Sequence, residues 1–272
     1  MKRHRKYAAI FFWILLVWMV GLSGCGDSPK KLVHQAEQKF DAGDYLGALA
    51  LYEQVADNFP KHQMADDALY WMGMIHHLYL KDEVKGLQAF QRLSNDYPAS
   101  PFALDSQRYT ASILERLQKN RQAIEAYEHL REISPDPKVA QESRYKIGEL
   151  YFGVGDLDQA RNEWDAQLKR YPDGVLTDKV LYGIANTYFI QGRCGEALNF
   201  LDRLIQNYPQ SELSTDARFR AASCLEEEGR IQEALARFKE VADSYPNRQV
   251  VEMKIKALSE QLNPEIIHKS GS

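Results

Sequence analysis

The chain has 272 residues, 44% of them apolar and 26% charged, a globular composition that excludes a disordered, collagen-like or polytopic protein. Its 34 Lys+Arg against 38 Asp+Glu give a net charge of −4, with no basic excess to neutralise a phosphate backbone, so no nucleic-acid partner is expected. Three cysteines exclude a disulfide scaffold and any four-Cys zinc site, and the patterns HExxH, GxxxxGK[ST], GxSxG and paired CxxC are missing.

The N-terminus is unlike the rest. Lys2, Arg3, Arg5 and Lys6 precede Tyr7 to Val20, a run of 14 residues without a charge, and Leu22-Ser23-Gly24-Cys25 follows. This is the layout of a signal peptide. Fourteen residues make a helix of about 21 Å, short of the roughly 30 Å hydrocarbon core, which disfavours a permanent span. Leu-Ser-Gly-Cys resembles the bacterial lipobox, and the resemblance implies cleavage before Cys25 and lipidation of its thiol. It also implies inner-membrane retention when Asp follows the Cys directly. Here Gly26 follows and the acid is Asp27, so an outer-membrane, periplasm-facing location is expected. Removing residues 1–24 takes four basic charges from 34 and leaves 30 against 38, or −8. Attachment would then rest on lipid, with residues 25–29 as a short tether.

From there the chain repeats. Phe59-Pro60, Tyr97-Pro98, Ser134-Pro135, Tyr171-Pro172, Tyr208-Pro209 and Tyr245-Pro246 place prolines 38, 37, 37, 37 and 37 residues apart. Twelve residues before each proline stands Ala48, Gly86, Ala123, Ala160, Ala197 or Ala234. Eight residues before it stands a large one: Tyr52, Phe90, Tyr127, Trp164, Leu201 or Phe238. A second small series, Ala36, Gly73, Ala111, Gly148, Ala185 and Ala222, runs 12 residues ahead of the first, except that Gly73 leads Gly86 by 13. One inserted residue near Lys81 to Glu83 accounts for the single longer spacing.

Each unit has helical periodicity, as in Leu181, Ile184, Ala185 and Tyr188 at i, i+3, i+4 and i+7. Gly43, Gly155, Gly192 and Gly229 fall between the two apolar stripes, where a helix C-terminus needs a positive φ. Proline ends the second helix of each pair. Small residue, Gly turn, Ala, aromatic and Pro, in that order, resemble tetratricopeptide (TPR) repeats over residues 30–247. The resemblance implies an all-α, right-handed α-solenoid of six helix pairs. The third unit departs most, with Gln118 at the turn and Ser134 before its proline. Residues 248–262, with apolar Val251, Ile255, Leu258 and Leu262, read as a capping helix, and residues 263–272 as a tail.

No catalytic pair, cofactor site or metal site is legible. The adjacent His76 and His77 point to different faces of one helix, and Glu226 to Glu228 read as a solvated acidic turn. A solenoid presents a long surface suited to proteins or extended peptides. Tyr145, Tyr182 and Phe219 recur at spacing 37, and Phe152 and Phe189 lie seven residues after the first two. This stripe sits about 100° from the core stripe. TPR resemblance implies that first helices line the concave face, which makes Tyr145, Phe152, Tyr182, Asn186, Phe189 and Phe219 the candidate partner-binding groove; packing between repeats is the competing account. Lys179, Asn186 and Arg220 suggest the carboxylate clamp of some TPR proteins, but Tyr182 stands where that clamp has a key Lys. Cys194 and Cys224 fall on helices that neighbour each other in a stacked solenoid, and export would place them in an oxidising compartment. A disulfide between them is expected, with a 30-residue loop stabilising by roughly 3 kcal/mol.

Lipobox and repeats together resemble the TPR lipoprotein of the outer-membrane β-barrel assembly machinery (BamD-like), which implies envelope proteins or extended peptides as partners and no small-molecule substrate. The other readings are a regulator resembling the Tol-Pal-associated cell-division coordinator, and an activator of a peptidoglycan or polysaccharide enzyme.

Overall fold

Side-chain caps set many of the helix starts. Asp44, Asp82 and Asp156 each accept the backbone N–H three residues on, from Gly47, Lys85 and Gln159 at 2.9, 3.1 and 3.1 Å, each worth about 1 kcal/mol. The computed structural model describes residues 28–263. The signal peptide, the lipobox with Cys25 and nearly all of the tail lie outside them. Every regular element among the described residues is helical. In order they are α1 Pro29–Asp41, α2 Tyr45–Asn58, α3 Ala65–Met74, α4 Glu83–Asp96, α5 Ala103–Arg116, α6 Asn120–Ile133 and α7 Pro137–Gly153. Then follow α8 Leu157–Arg170, α9 Thr177–Ile190, α10 Cys194–Asn207, α11 Ser214–Glu227, α12 Ile231–Val241 and α13 Arg248–Leu262.

The chain divides into two compact units, one ending at Phe102 and the other beginning at Ala103. The first holds the hairpins α1–α2 and α3–α4. The second holds α5–α6, α7–α8, α9–α10 and α11–α12, followed by α13. The repeat series explain the packing in both. Ala36, Ala48, Ala111, Ala123, Ala160, Ala197, Ala222 and Ala234 are wholly buried, which lets paired helices approach. Tyr52, Phe90, Trp164, Leu201 and Phe238 fill the space beside them at 2% exposure or less. The last helix buries Val251 and Leu258 against α12.

All six turns within hairpins use one left-handed residue. Gly43, Gly155, Gly192 and Gly229 have φ of 79°, 84°, 69° and 75°; Lys81 and Gln118 adopt 56° in the same role. The inserted residue of the second hairpin lies earlier than the sequence suggests. It widens the end of α3 into a π-turn, Ile75–Tyr79, in which Leu80 N–H donates to the Ile75 carbonyl at 3.0 Å. In the other five hairpins a turn N–H reaches back five residues, as from Asp156 to Tyr151; here Asp82 reaches back six, to His76.

Candidate functional site

In the second unit, α7 and α9 present one face each to a groove of about 800 Å³. Tyr145, Lys146, Glu149 and Phe152 follow one another along α7, and Lys179, Tyr182 and Asn186 along α9, both at helical spacing. Trp164 of α8 lines the same groove, reaching it between two bare backbones. A Cβ on Gly148 would collide with its indole Nε1, and one on Gly183 would lie 2.9 Å from its ring edge. Tyr145 and Phe152 flank that indole with ring centroids 6.3 and 6.0 Å away. Trp164 Nε1 donates to the Tyr145 carbonyl at 3.3 Å, which fixes the ring.

The polar wall is a linked network. Lys146 Nζ lies 3.0 Å from both Glu115 and Glu149. Burial alone would depress this ammonium, but its two carboxylate partners outweigh burial and hold it above the usual lysine range. Tyr127 donates to Glu115 at 2.7 Å and Tyr145 to Glu149 at 3.0 Å. Burial, then the adjacent carboxylates, push both phenols far up, so they stay neutral donors. Lys179, at the other side, has no ion-pair partner among the described residues. Asn186 Oδ1 and Ser143 Oγ, both lining the groove, are buried without a hydrogen-bond partner among the described residues. An unmet buried polar atom costs roughly 1–3 kcal/mol.

Of the expected groove residues, Tyr145, Phe152, Tyr182 and Asn186 line this cavity. Phe189 and Phe219 do not. Phe189 is covered by the Arg220 guanidinium, 5.5 Å from its centroid, and Phe219 stacks on Tyr245 at 4.2 Å and meets Phe238 edge-on at 5.5 Å. Phe189 thus packs against the next repeat, and Phe219 packs within its own hairpin. Of the clamp candidates, Lys179 and Asn186 face the groove, while Arg220 is turned to Tyr182, donating to its hydroxyl at 2.7 Å.

Cys194 and Cys224, expected as a disulfide, are free buried thiols here, and the Cys194 thiol donates to Glu227 at 3.1 Å. Nor are the three glutamates a simple solvated turn: Glu226 pairs with Lys254 of α13 at 2.7 Å and Glu228 with Arg230 at 3.3 Å. His76 and His77 are both buried, and His77 Nδ1 meets Glu83 at 2.9 Å.

Two features escaped the sequence. Trp164 reads there as core filler, and only the facing glycines reveal its second role. In the first unit, Phe40 lies 5.1 Å from Tyr79 and 5.4 Å from Trp71, with Tyr45 4.6 Å from Tyr79. Trp71 and Tyr79 remain 37% and 44% exposed. Phe40 shares the repeat phase of Phe152 and Phe189, but Tyr45 and Tyr79 have no aromatic counterpart in the other units, so the cluster as a whole gives no periodic signal.

Stacked helix pairs with a half-apolar, half-polar groove define a helical-repeat binding protein. The repeats are tetratricopeptide repeats: profiles of that repeat match residues 32–62 and 67–100, 145–212, and 188–256. Among solved structures the chain is similar to YrrB, described as a TPR protein with an unusual peptide-binding site, at 18% identity and a TM-score of 0.52, covering 74% of this chain and 96% of that one. It is also similar to MamA, at 16% identity and a TM-score of 0.50, covering 65% of this chain and 90% of that one. At such identities the likeness is one of fold. No curated protein matches the chain.

Proposed function

We propose that the protein is a non-catalytic, lipid-anchored scaffold of the bacterial envelope whose second unit holds an extended segment of a partner protein. The observation that carries this is the groove itself, with Trp164, Tyr145 and Phe152 along it and the polar side chains of Ser143, Lys179 and Asn186 in its wall. A bound strand supplies alternating N–H and C=O groups to a polar wall while its side chains lie on Trp164, Tyr145 and Phe152. Peptide binding by YrrB, a protein of the same fold, is in keeping with this.

The envelope assignment rests on the lipobox at Leu22 to Cys25, and the pathway on resemblance to the BamD-like lipoprotein of β-barrel assembly. Lipidation would sit at Cys25, with outer-membrane attachment facing the periplasm. The experiment is crosslinking and pull-down of the protein from solubilised membranes. Recovery of a barrel-assembly component or a nascent barrel protein supports the reading. Recovery of a cell-wall synthase instead replaces it with the activator reading, and release of unmodified protein from membranes removes the anchor.

A further inference from the structure

Once Cys25 is set aside for lipid, Cys194 and Cys224 are the two remaining cysteines of the sequence. They stand at the start of α10 and within α11, and their thiols are hydrogen-bond partners of each other. Cys194 is 5% exposed and Cys224 is wholly buried. The two helices meet closely here, since a Cβ on Gly195 would lie 3.2 Å from Glu228 Oε1. Cys224 also shares a face with Arg220, one helical turn earlier. That guanidinium lies over the Tyr182 and Phe189 rings, at 5.4 and 5.5 Å, and binds the Tyr182 hydroxyl and Asp216 at 2.7 and 3.1 Å. Tyr182 in turn lines the groove.

We infer that Cys194 and Cys224 form a redox staple whose disulfide pins α11 to α10 and so fixes Arg220 behind the groove's Tyr182. The structure holds its dithiol form. The oxidant is a disulfide-carrying thiol oxidant of an oxidising compartment. One cysteine thiolate attacks the carrier's disulfide, forming a mixed disulfide and releasing one carrier thiolate; the second cysteine attacks the protein sulfur and displaces the other. Two protein thiols lose two protons and two electrons, and the carrier disulfide becomes two thiols. The step belongs to folding, while the cysteines are still open to the carrier. Once α10 and α11 have docked, burial, the Cys224 contact and the Glu227 carboxylate together push the Cys194 thiol well above its usual range, which suppresses the thiolate. Glu227 thus makes the docked dithiol slow to oxidise, and burial equally shields the finished bond from reductants.

The test uses the full chain with its leader, exported by an oxidising host, quenched in acid, denatured and labelled with a maleimide polymer. One intramolecular disulfide joining the peptides that contain Cys194 and Cys224 is the expected product. Two labelled thiols without prior reduction, or a bond between chains, would overturn the inference. Reduction by dithiothreitol should lower the melting temperature by roughly 5–10 °C. It should also raise amide exchange in residues 214–227 at least tenfold, and the Cys194→Ser/Cys224→Ser chain should match the reduced protein; exchange unchanged by reduction would remove the link to Arg220. In reduced, folded protein, Glu227→Gln should speed disulfide formation by oxidised glutathione several-fold, and an unchanged rate would take Glu227 out of the account. Thiol counting and exchange need no groove ligand, so these results stand apart from the fate of the peptide-binding reading.

Discussion

The indole of Trp164 rests on the bare Cα of Gly148, and any side chain there would strike its Nε1 edge. The ring is simultaneously core of the α7–α8 hairpin, at 2% exposure, and floor of the groove. Gly148→Ala should therefore destabilise the protein by about 1–3 kcal/mol, although alanine is the better helix former by about 1 kcal/mol, because overpacking displaces the ring. Urea denaturation measures the loss. A gain in stability would show that the indole has room to move.

The two non-glycine turns point the opposite way. Gln118 and Lys81 hold φ of 56°, where a side chain costs roughly 1–2 kcal/mol, partly offset by the freedom glycine adds to the unfolded chain. Gln118→Gly and Lys81→Gly should each stabilise by about 0.5–1 kcal/mol, read as a higher urea midpoint at unchanged m-value. Gly155→Ala, at φ 84° with open space around its Cβ, should cost about 1 kcal/mol through the backbone alone.

Acid should weaken the fold through His76. Burial holds its imidazole below the ordinary 6.5, against smaller opposing fields from Asp82 and Glu53, and its Nδ1 has no hydrogen-bond partner. The folded chain therefore refuses a proton that the unfolded chain accepts below 6.5. The contribution is complete above that pH and is lost as pH falls through it towards the depressed value. His76→Leu should flatten the slope of melting temperature between pH 7.5 and 5.5. Parallel slopes would assign the acid sensitivity elsewhere.

Aromatic residues that share one sequence phase should separate by experiment. Phe219→Ala removes a ring stacked on Tyr245 and edge-on to Phe238, and should cost about 3 kcal/mol of stability. Asn186→Ala removes a groove-lining amide whose Oδ1 has no hydrogen-bond partner to lose, so it should leave stability within about 1 kcal/mol while weakening partner binding roughly tenfold. Calorimetry and binding on the same preparations compare the two.

The helical pairs were legible because they are written redundantly. Ala36, Gly73, Ala111, Gly148, Ala185 and Ala222 repeat one steric demand six times, and a departure at any one position leaves the pattern readable. The π-turn was half legible. The 13-residue gap gives the extra residue, but its placement at Ile75–Tyr79 depends on how α3 meets its turn, which spacing does not encode. Helical phase also cannot tell a ring in a groove from one packed into the core. Tyr182 and Phe219 occupy the same phase, and they differ because Tyr245, at the end of Phe219's own repeat, stacks on Phe219. Glu149 lies one turn after Tyr145 and pairs at i,i+3 with Lys146, so both could have been found, whereas Glu115 comes from the preceding hairpin.

The most direct test of the groove is a photo-crosslinking amino acid at position 182, beside Asn186, compared with one at Val154, an exposed turn position at 54% exposure. In intact membranes, irradiation should give a discrete protein adduct from position 182 and none from position 154. Adducts from position 154 with none from position 182 would contradict a scaffold that holds its partner in the second unit's groove.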